Sequence, residues 1–285
     1  MDSSKFFIVG ANGQLGTALR NQYPNAQFAD VDELDITDHQ SINKFDWSDI
    51  NVVLNAAAYT DVDGAETLEG RKASWKVNAL AVAYLAQACR RHNMTLVHIS
   101  SDYVFDGTKN PHFETEAFSP LSVYGNSKAA GDLLVAQLDC HYILRTTWVI
   151  GEGKNFVRTM LGLAEKGVSP TVVSDQIGRL TFTSELVRAI DHLLSTKSSY
   201  GTYNVTNDGQ PMSWADITRQ IFAIAGKNDL TVSDISTADY YAGKEGIALR
   251  PLFSIMNLDK LQATGFDSRD WQQELAKYIA KEDTK

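Results

Sequence analysis

Cysteine, positive charge and long apolar runs are all scarce in this sequence of 285 residues. Its two cysteines, Cys89 and Cys140, show no Cys-x-x-Cys spacing, which predicts two buried thiols in a reducing, cytoplasmic environment. No stretch approaches the roughly 20 apolar residues of a membrane span, and residues 1–13 lack the long apolar core of a signal peptide. These absences predict a cytoplasmic chain with no membrane partner.

Basic residues are outnumbered by acidic ones, 26 to 35, which gives a net charge of −9. This balance argues against nucleic acid or an anionic membrane as the main partner. An anionic small ligand would need a local positive site, because the overall field opposes its approach. The six histidines are scattered and none pairs at metal-ligand spacing, so the sequence predicts no metal site.

The first half of the chain alternates short apolar runs with amphipathic stretches. Strands are predicted at 5–9, just before Asp30, and at 51–54, 95–99 and 141–145, with helices between them. This rhythm is typical of an α/β fold, namely a Rossmann-like, doubly wound parallel sheet with helices on both faces.

Past residue 148 the rhythm loosens, which predicts a smaller α/β region that binds the substrate. Its predicted helices are 154–166, 183–195, 213–226 and 269–281, and its predicted short strands are 171–173, 202–205 and 231–235. No flexible linker is evident, so we expect a dinucleotide-binding domain at 1–148 interwoven with a substrate-binding region at 149–285. The tail at 281–285 is expected to fray.

A glycine-rich turn follows the first predicted strand. Gly10, Gly13 and Gly16 are spaced G-x-x-G-x-x-G and precede an amphipathic stretch that ends near Tyr23. A dinucleotide site needs such a turn, because the backbone must approach a pyrophosphate and the helix N-terminus must face the anion. Glycines can also simply cap a turn, but an acid about twenty residues on, Asp30, supports the cofactor interpretation.

Asp30 is expected at the end of the second strand, where a carboxylate can bond ribose hydroxyls and would repel a 2′-phosphate. Val31 follows it instead of an arginine, which favours NADH over NADPH. Asp35 and Ile36 in the next loop could cover the adenine, or Asp35 could cap a helix at 38–45.

Small residues follow the third predicted strand, in the run Asn55-Ala-Ala-Ala-Tyr-Thr60. They would let a cofactor lie against the backbone at the carboxyl end of the strand, although tight packing against a helix also uses alanine. Residues 69–92 then predict one long helix. Asn78 interrupts its apolar face, either as a satisfied buried amide or as a brace for the catalytic strand.

The segment 95–128 carries the strongest chemical signal. A buried strand ends in Ser100, Ser101 and Asp102, and about twenty residues later Tyr124 and Lys128 are spaced to share one helix face. An ammonium near a phenol is expected to lower its pKa from about 10 and to suit it to proton transfer. The Tyr–Lys pair alone arises often by chance, whereas the pair after such a strand is much more specific.

Together these residues resemble the dTDP-4-dehydrorhamnose reductase family of the extended short-chain dehydrogenase/reductase superfamily. The segments that carry the resemblance span nearly the whole chain: GANGQLG at 10–16, LDITD at 34–38, NAAAYTDVDGAE at 55–66, SSDYVFDG at 100–107, SPLSVYGNSKAAGD at 119–132, RTTWVIG at 145–151, DQIGRLT at 175–181 and Arg250-Pro251. The resemblance implies NAD(P)H-dependent reduction of the C4 keto group of dTDP-4-dehydro-L-rhamnose.

The resemblance also implies the roles of individual residues. The catalytic group is Ser101, Tyr124 and Lys128, and the substrate contacts are Ser101, Asp102, Trp148 and Arg250. The predicted cofactor contacts are Gly10, Gly13, Gln14, Leu15, Gly16, Asp30, Asp35, Ile36, Ala57, Ala58, Tyr59, Thr60, Ser100, Tyr124 and Lys128. From the residues alone, Trp148 could equally be core packing and Arg250 a solvated surface side chain.

Ser101 stands where the family usually has threonine and keeps the hydroxyl, and three further positions depart from the family pattern. Ala18 replaces a glutamate of members that dimerise through magnesium, so a magnesium site is doubtful. Leu180 replaces a proline, and Phe253 stands near the position of a usual asparagine.

A homodimer, or fusion or association with the preceding epimerase of the pathway, is the expected protein partnership. The alternative functions are another sugar-nucleotide reductase or epimerase, and a non-catalytic subunit related to the regulatory subunit of methionine adenosyltransferase.

Overall fold

Parallel strands in the order β2-β1-β3-β4-β5-β10 form the main sheet of the computed structural model, which describes residues 1–282. The strands are β1 Phe6–Val9, β2 Gln27–Ala29, β3 Val52–Asn55, β4 Thr95–Ser101, β5 His141–Thr146, β6 Val149–Ile150, β7 Thr171–Val173, β8 Ile177–Gly178, β9 Thr181–Phe182, β10 Gly201–Asn204, β11 Met212–Ser213 and β12 Ser233–Ile235. The predicted doubly wound sheet is therefore confirmed, and its order reverses between β1 and β3, where ligands bind in such folds.

Helices cover both faces of this sheet, as parallel strands require. They are α1 Gln14–Gln22, α2 His39–Lys44, α3 Leu68–Trp75, α4 Ala81–His92, α5 Val123–Val135, α6 Phe156–Glu165, α7 Thr183–Ser195, α8 Trp214–Ile224, α9 Thr237–Tyr241, α10 Asp259–Gln262 and α11 Trp271–Glu282. The predicted helix at 69–92 is continuous but contains a π-helical turn, Lys76–Leu80, between α3 and α4.

Strand β1 shows how both faces are buried. Ile8 packs on the side covered by α1 and α7, whereas Phe7 and Val9 pack on the side covered by α2 and α4. All four β1 side chains are buried. This is why the strand reads as an unbroken apolar run and not as an alternating one.

The C-terminal part of the chain has its own core and also completes the large sheet. Its core packs α6, α8 and α11 around the fully buried Trp271. Strand β10, however, pairs with β5 at the edge of the large sheet, and α7 packs against α1. The division into two interwoven regions at residue 148 stays a prediction; the contacts show that β10 and α7, which follow residue 148, pack with the elements of the first half.

Three further sequence expectations concern the cysteines, membrane-spanning helices and the C-terminal tail. Cys89 is buried but Cys140 only partly, so the expectation of two buried thiols holds for the first alone. No helix within residues 1–282 is long and apolar enough to cross a membrane. The expected fraying at 281–285 concerns a tail whose last three residues, 283–285, lie outside the described part.

Candidate active site

The glycine turn brings three elements into close contact at the carboxyl end of β1. Gly10 adopts φ +74°, and a Cβ there would lie 2.6 Å from Cα of Ala57 after β3. A Cβ on Gly16 would lie 2.1 Å from the Gly10 carbonyl oxygen. Neither position tolerates a side chain, because the backbones of β1, α1 and the β3 loop occupy that space.

The N-terminus of α1 is open. Gly13 precedes the helix and supplies no side-chain cap, so the first-turn N–H groups remain available. A Cβ at Gly13 would meet only the Gly10 carbonyl oxygen, at 3.4 Å. A side-chain-free helix N-terminus of this kind fits an anion such as a pyrophosphate.

A cavity of about 280 Å³ extends from this turn toward β2. Its lining includes Gly10, Gly13, Asp30, Asp35, Ile36, Ala57 and Ala58. The Asp30 carboxylate accepts hydrogen bonds from the backbone N–H groups of Asn12 and Val31, both at 2.8 Å, which hold it at the cavity edge. Asp35 accepts from the N–H of Thr37 within its own loop, and the cap of α2 is Asp38.

An adjoining cleft of about 580 Å³ leads from the same turn to the end of β4. The predicted site residues that line it are Gly13, Gln14, Leu15, Ala57, Ala58, Thr60, Ser100, Ser101, Asp102, Tyr124, Lys128 and Trp148. Its size is in the range of ligand pockets. Gln14 also accepts a hydrogen bond from the Gly151 N–H, which ties α1 to the C-terminal part.

Three predicted site residues line neither cavity. Gly16 is packed behind the turn, and Tyr59 presents its backbone to Asn78 instead. The Arg250 guanidinium forms an ion pair with Asp63 at 2.8 Å and donates to the Ala248 carbonyl, beside the Tyr241 ring. That pairing lowers the pKa of Asp63 and raises the pKa of Arg250, against the opposing effect of burial.

Helix α5 carries Tyr124 and Lys128 into the cleft, both buried. The Lys128 ammonium donates to the Ile99 carbonyl of β4 at 2.6 Å, and burial lowers the pKa of Lys128 to about 8. Burial also raises the pKa of Tyr124 to about 12, although its hydrogen bond with Ser101 lowers it in part. The expectation of a lowered Tyr124 pKa is therefore wrong: burial is the largest effect, and the nearby carboxyl groups of Asp102 and Asp132 raise this pKa further.

This correction changes the chemical role that Tyr124 can have. With a pKa near 12, the phenol keeps its proton at neutral pH. A protonated phenol is a proton donor, so the group is suited to give a proton to a carbonyl oxygen that gains negative charge. It is less suited to remove a proton from an alcohol at the same pH.

Trp148 has a part in both the cleft and the core. Its ring lines the cleft and stacks on Trp214 of α8, with centroids 3.7 Å apart. A Cβ at Gly178 would approach the Trp148 ring to 3.0 Å, so the ring also packs tightly against β8. Its backbone lies in the left-handed region, at φ +48°, which a non-glycine residue adopts only when its surroundings hold it.

Two residues that support the site were weakly signalled or missed in the sequence. Asn78, in the π-helical turn, accepts from the Tyr59 N–H and donates to the Tyr59 carbonyl and to Ser127 of α5. The sequence offered it as a satisfied buried amide or as a brace for the catalytic strand; its bonds satisfy the amide and join the loop after β3 to α5. Ser254 donates to the Asp102 carboxyl, and no sequence pattern links these two residues, which are 152 positions apart.

Metal ligands are not assembled in the described part of the chain: within residues 1–282 no group of three or more His, Cys, Asp or Glu side chains is placed to hold an ion. The expectation from Ala18 that the chain lacks a magnesium site stays a prediction.

Comparison with known proteins agrees with this geometry. The family model of the RmlD substrate binding domain matches residues 4–284. The chain is 41% identical to a dTDP-4-dehydrorhamnose reductase of Aggregatibacter actinomycetemcomitans over 95% of this chain and 97% of that protein.

Solved structures of similar proteins cover the whole fold. A dTDP-4-dehydrorhamnose reductase from Clostridium acetobutylicum is 36% identical, with a TM-score of 0.89 over 98% of this chain and 99% of that one. A dTDP-4-dehydrorhamnose reductase from Bacillus anthracis, solved in complex with NADP, is 33% identical. Its TM-score is 0.88, and the match covers 97% of this chain and 98% of that one.

Proposed function

Because the chain belongs to the RmlD family, we propose that it is an NAD(P)H-dependent oxidoreductase that reduces the C4 keto group of dTDP-4-dehydro-L-rhamnose to give dTDP-L-rhamnose. The observation that carries this proposal is one continuous crevice. It is formed by the two cavities of about 280 and 580 Å³, which share Gly13, Ala57 and Ala58, and it runs from the open N-terminus of α1 to Ser101, Tyr124 and Lys128.

The residues fit a nicotinamide cofactor along this crevice. The α1 N-terminus would hold the pyrophosphate, Asp30 the adenosine ribose, and Lys128 the nicotinamide ribose. When bound, the reduced cofactor supplies the hydride, and the protein supplies position and charge stabilisation. Ser100 and the alanines after β3 would form the wall against which the cofactor lies.

Tyr124 and Ser101 would act on the carbonyl oxygen. Reduction at the C4 carbon would place negative charge on this oxygen, and the Tyr124 phenol would donate its proton there. The Ser101 hydroxyl would bond the same oxygen, as a donor in an oxyanion hole. Trp148 would flank the sugar ring, and Arg250 would contact the diphosphate of the nucleotide after exchanging part of its bonding with Asp63.

The finer assignments belong to the same proposal. Asp30 favours NADH, since its carboxylate would repel a 2′-phosphate, whereas the similar Bacillus anthracis protein was solved with NADP. We also propose a cytoplasmic enzyme without a magnesium site. Residues 1–148 would bind the cofactor and 149–285 would bind the substrate, and a homodimer or association with the preceding epimerase is the proposed assembly.

The test is to incubate the protein with dTDP-4-keto-6-deoxy-L-sugar and either reduced cofactor, and to follow the absorbance of the reduced nicotinamide. We expect one reduced cofactor to be consumed per sugar converted. Conversion without cofactor consumption would identify an epimerase or dehydratase instead. Cofactor binding with no conversion of the sugar would favour a regulatory subunit.

A further inference from the structure

Asp102 has an unusual environment for a carboxyl group. It is 2% exposed at the end of β4, and its hydrogen bonds come from hydroxyl groups, Ser101 at 3.0 Å and Ser254 at 2.5 Å. Within residues 1–282 no Lys, Arg or His nitrogen lies within ion-pair distance of it. Burying an ionised carboxylate without a cation is costly, so the site favours the neutral acid.

The protonation state of Asp102 determines which group the Ser101 hydroxyl can donate its proton to. A serine hydroxyl has one proton to donate. If Asp102 is ionised, the Ser101 proton points at the carboxylate, and none is left for a substrate oxygen. If Asp102 carries a proton, the acid can donate to the Ser101 oxygen, and the Ser101 proton is free to point into the cleft.

Other groups face Asp102 from each neighbouring element. They are the phenol of Tyr103 on its own turn, the phenol of Tyr124 on α5, and the hydroxyls of Thr147 after β5 and Ser254 on the C-terminal loop. None of these groups carries a positive charge. Burial raises the pKa of Asp102, whereas the hydroxyl donors lower it in part.

We propose that Asp102 is a positioning residue that acts as the neutral acid, held by Ser254, and that it turns the Ser101 hydroxyl toward the reacting carbonyl oxygen. This inference rests on the proposed reductase activity and adds to it a required protonation state of Asp102 and a residue, Ser254, that fixes the position of the Asp102 carboxyl. It differs from the expectation drawn from the family resemblance, in which Asp102 contacts the sugar directly. A sugar contact would change KM, whereas orientation of Ser101 changes kcat.

The experiment compares Asp102→Asn with Asp102→Ala at saturating substrate. An asparagine amide can donate to Ser101 as the neutral acid does and can still accept from Ser254, whereas alanine can do neither. We therefore expect kcat of the Asn variant to exceed that of the Ala variant by at least about tenfold, toward the usual effect of one oriented donor. Cofactor binding and thermal unfolding of each variant are measured as the check on folding.

The pH dependence gives a second, independent readout. The ratio of kcat of Asp102→Asn to kcat of the unmodified protein should rise with pH, because only the unmodified protein loses its carboxyl proton. The titration of Lys128 is common to both proteins and cancels in this ratio. Ser254→Ala removes a donor that favours the ionised form, so it should move the fall in kcat to higher pH.

Several outcomes would overturn the inference. An Asn variant no faster than the Ala variant would do so, as would a ratio that does not change with pH, or an effect on KM alone. No turnover by the unmodified protein would instead reject the proposed function itself. The two failures are therefore distinguishable in one set of assays.

Discussion

The Arg250 guanidinium and the Asp63 carboxylate are joined at 2.8 Å, although 187 positions separate them in the sequence. Asp63 also accepts from the Ala248 N–H at 3.1 Å, so the carboxylate holds two points of the loop that follows α9. This loop lies next to Tyr103, which lines the cleft. Arg250 is therefore not a free surface cation, and its guanidinium is oriented before any substrate arrives.

Arg250→Ala should raise KM for the sugar nucleotide far more than it lowers kcat. Charge-assisted hydrogen bonds are worth about 1.5–3 kcal/mol, which corresponds to roughly 10- to 100-fold in binding. Steady-state kinetics with varied sugar nucleotide would measure this effect. Arg71→Ala, at an exposed position on α3, is the matched control and should leave KM unchanged. A loss of kcat at unchanged KM would contradict the diphosphate role.

Tyr124→Phe should nearly abolish turnover and leave cofactor binding measurable. The substitution removes the proposed proton donor and keeps the buried ring. The ring therefore still packs against the Tyr103 ring, with the two centroids 5.4 Å apart. Loss of one preorganised donor typically costs about 10²–10³ in rate, and loss of the proton itself should add to this. Single-turnover kinetics, with cofactor titration as the control, would test the assignment. An unchanged rate would reject it.

The pH dependence of kcat/KM for the reduced cofactor should follow Lys128. Its pKa is lowered to about 8 by burial, so the ammonium is charged below this pH and neutral above it. The charged form is the one that can bond the ribose, so kcat/KM should be level at lower pH and fall about tenfold per pH unit above roughly 8.

The control for this profile is Lys128→Arg, whose guanidinium stays charged across the range. The Lys128→Arg variant should have a lower kcat/KM at low pH than the unmodified protein, because its guanidinium does not reproduce the 2.6 Å bond from the Lys128 ammonium to the Ile99 carbonyl. It should also remove the fall at high pH. A profile of the unmodified protein that stays level well above pH 8 would exclude Lys128 as the titrating group.

Asp30→Ala should shift the cofactor preference toward NADPH. Removing the carboxylate removes the repulsion of a 2′-phosphate and a bonding partner of the ribose hydroxyls, so the ratio of kcat/KM for NADPH to that for NADH should rise by roughly tenfold. Asp32→Ala, an exposed acid in the same loop, controls for the general change in charge. Equal shifts in both variants would show that Asp30 has no specific contact.

Much of the fold could be predicted because its signals are local. Strands β3, β4 and β5 begin and end within one or two residues of their predicted bounds, and α7 coincides with its predicted range. The apolar run, the glycine turn and the helical spacing of Tyr124 and Lys128 each depend on neighbours only a few residues away. Patterns of this kind can be recognised in the sequence because they do not depend on contacts with distant parts of the chain.

The sequence by itself determined the order of strands and helices as far as β5, the open α1 N-terminus, and the presence of one serine, one tyrosine and one lysine near the end of β4. Past residue 148 it did not predict the short strands β6, β8, β9 and β11 or the helices α9 and α10. Only the tertiary structure decided that β10 completes the sheet, that Ser254 reaches Asp102, and that Arg250 meets Asp63. It also decided the direction of the Tyr124 pKa shift. The physical reason is the same in each case: burial and contacts across more than fifty residues arise from packing, which leaves no periodic trace along the chain.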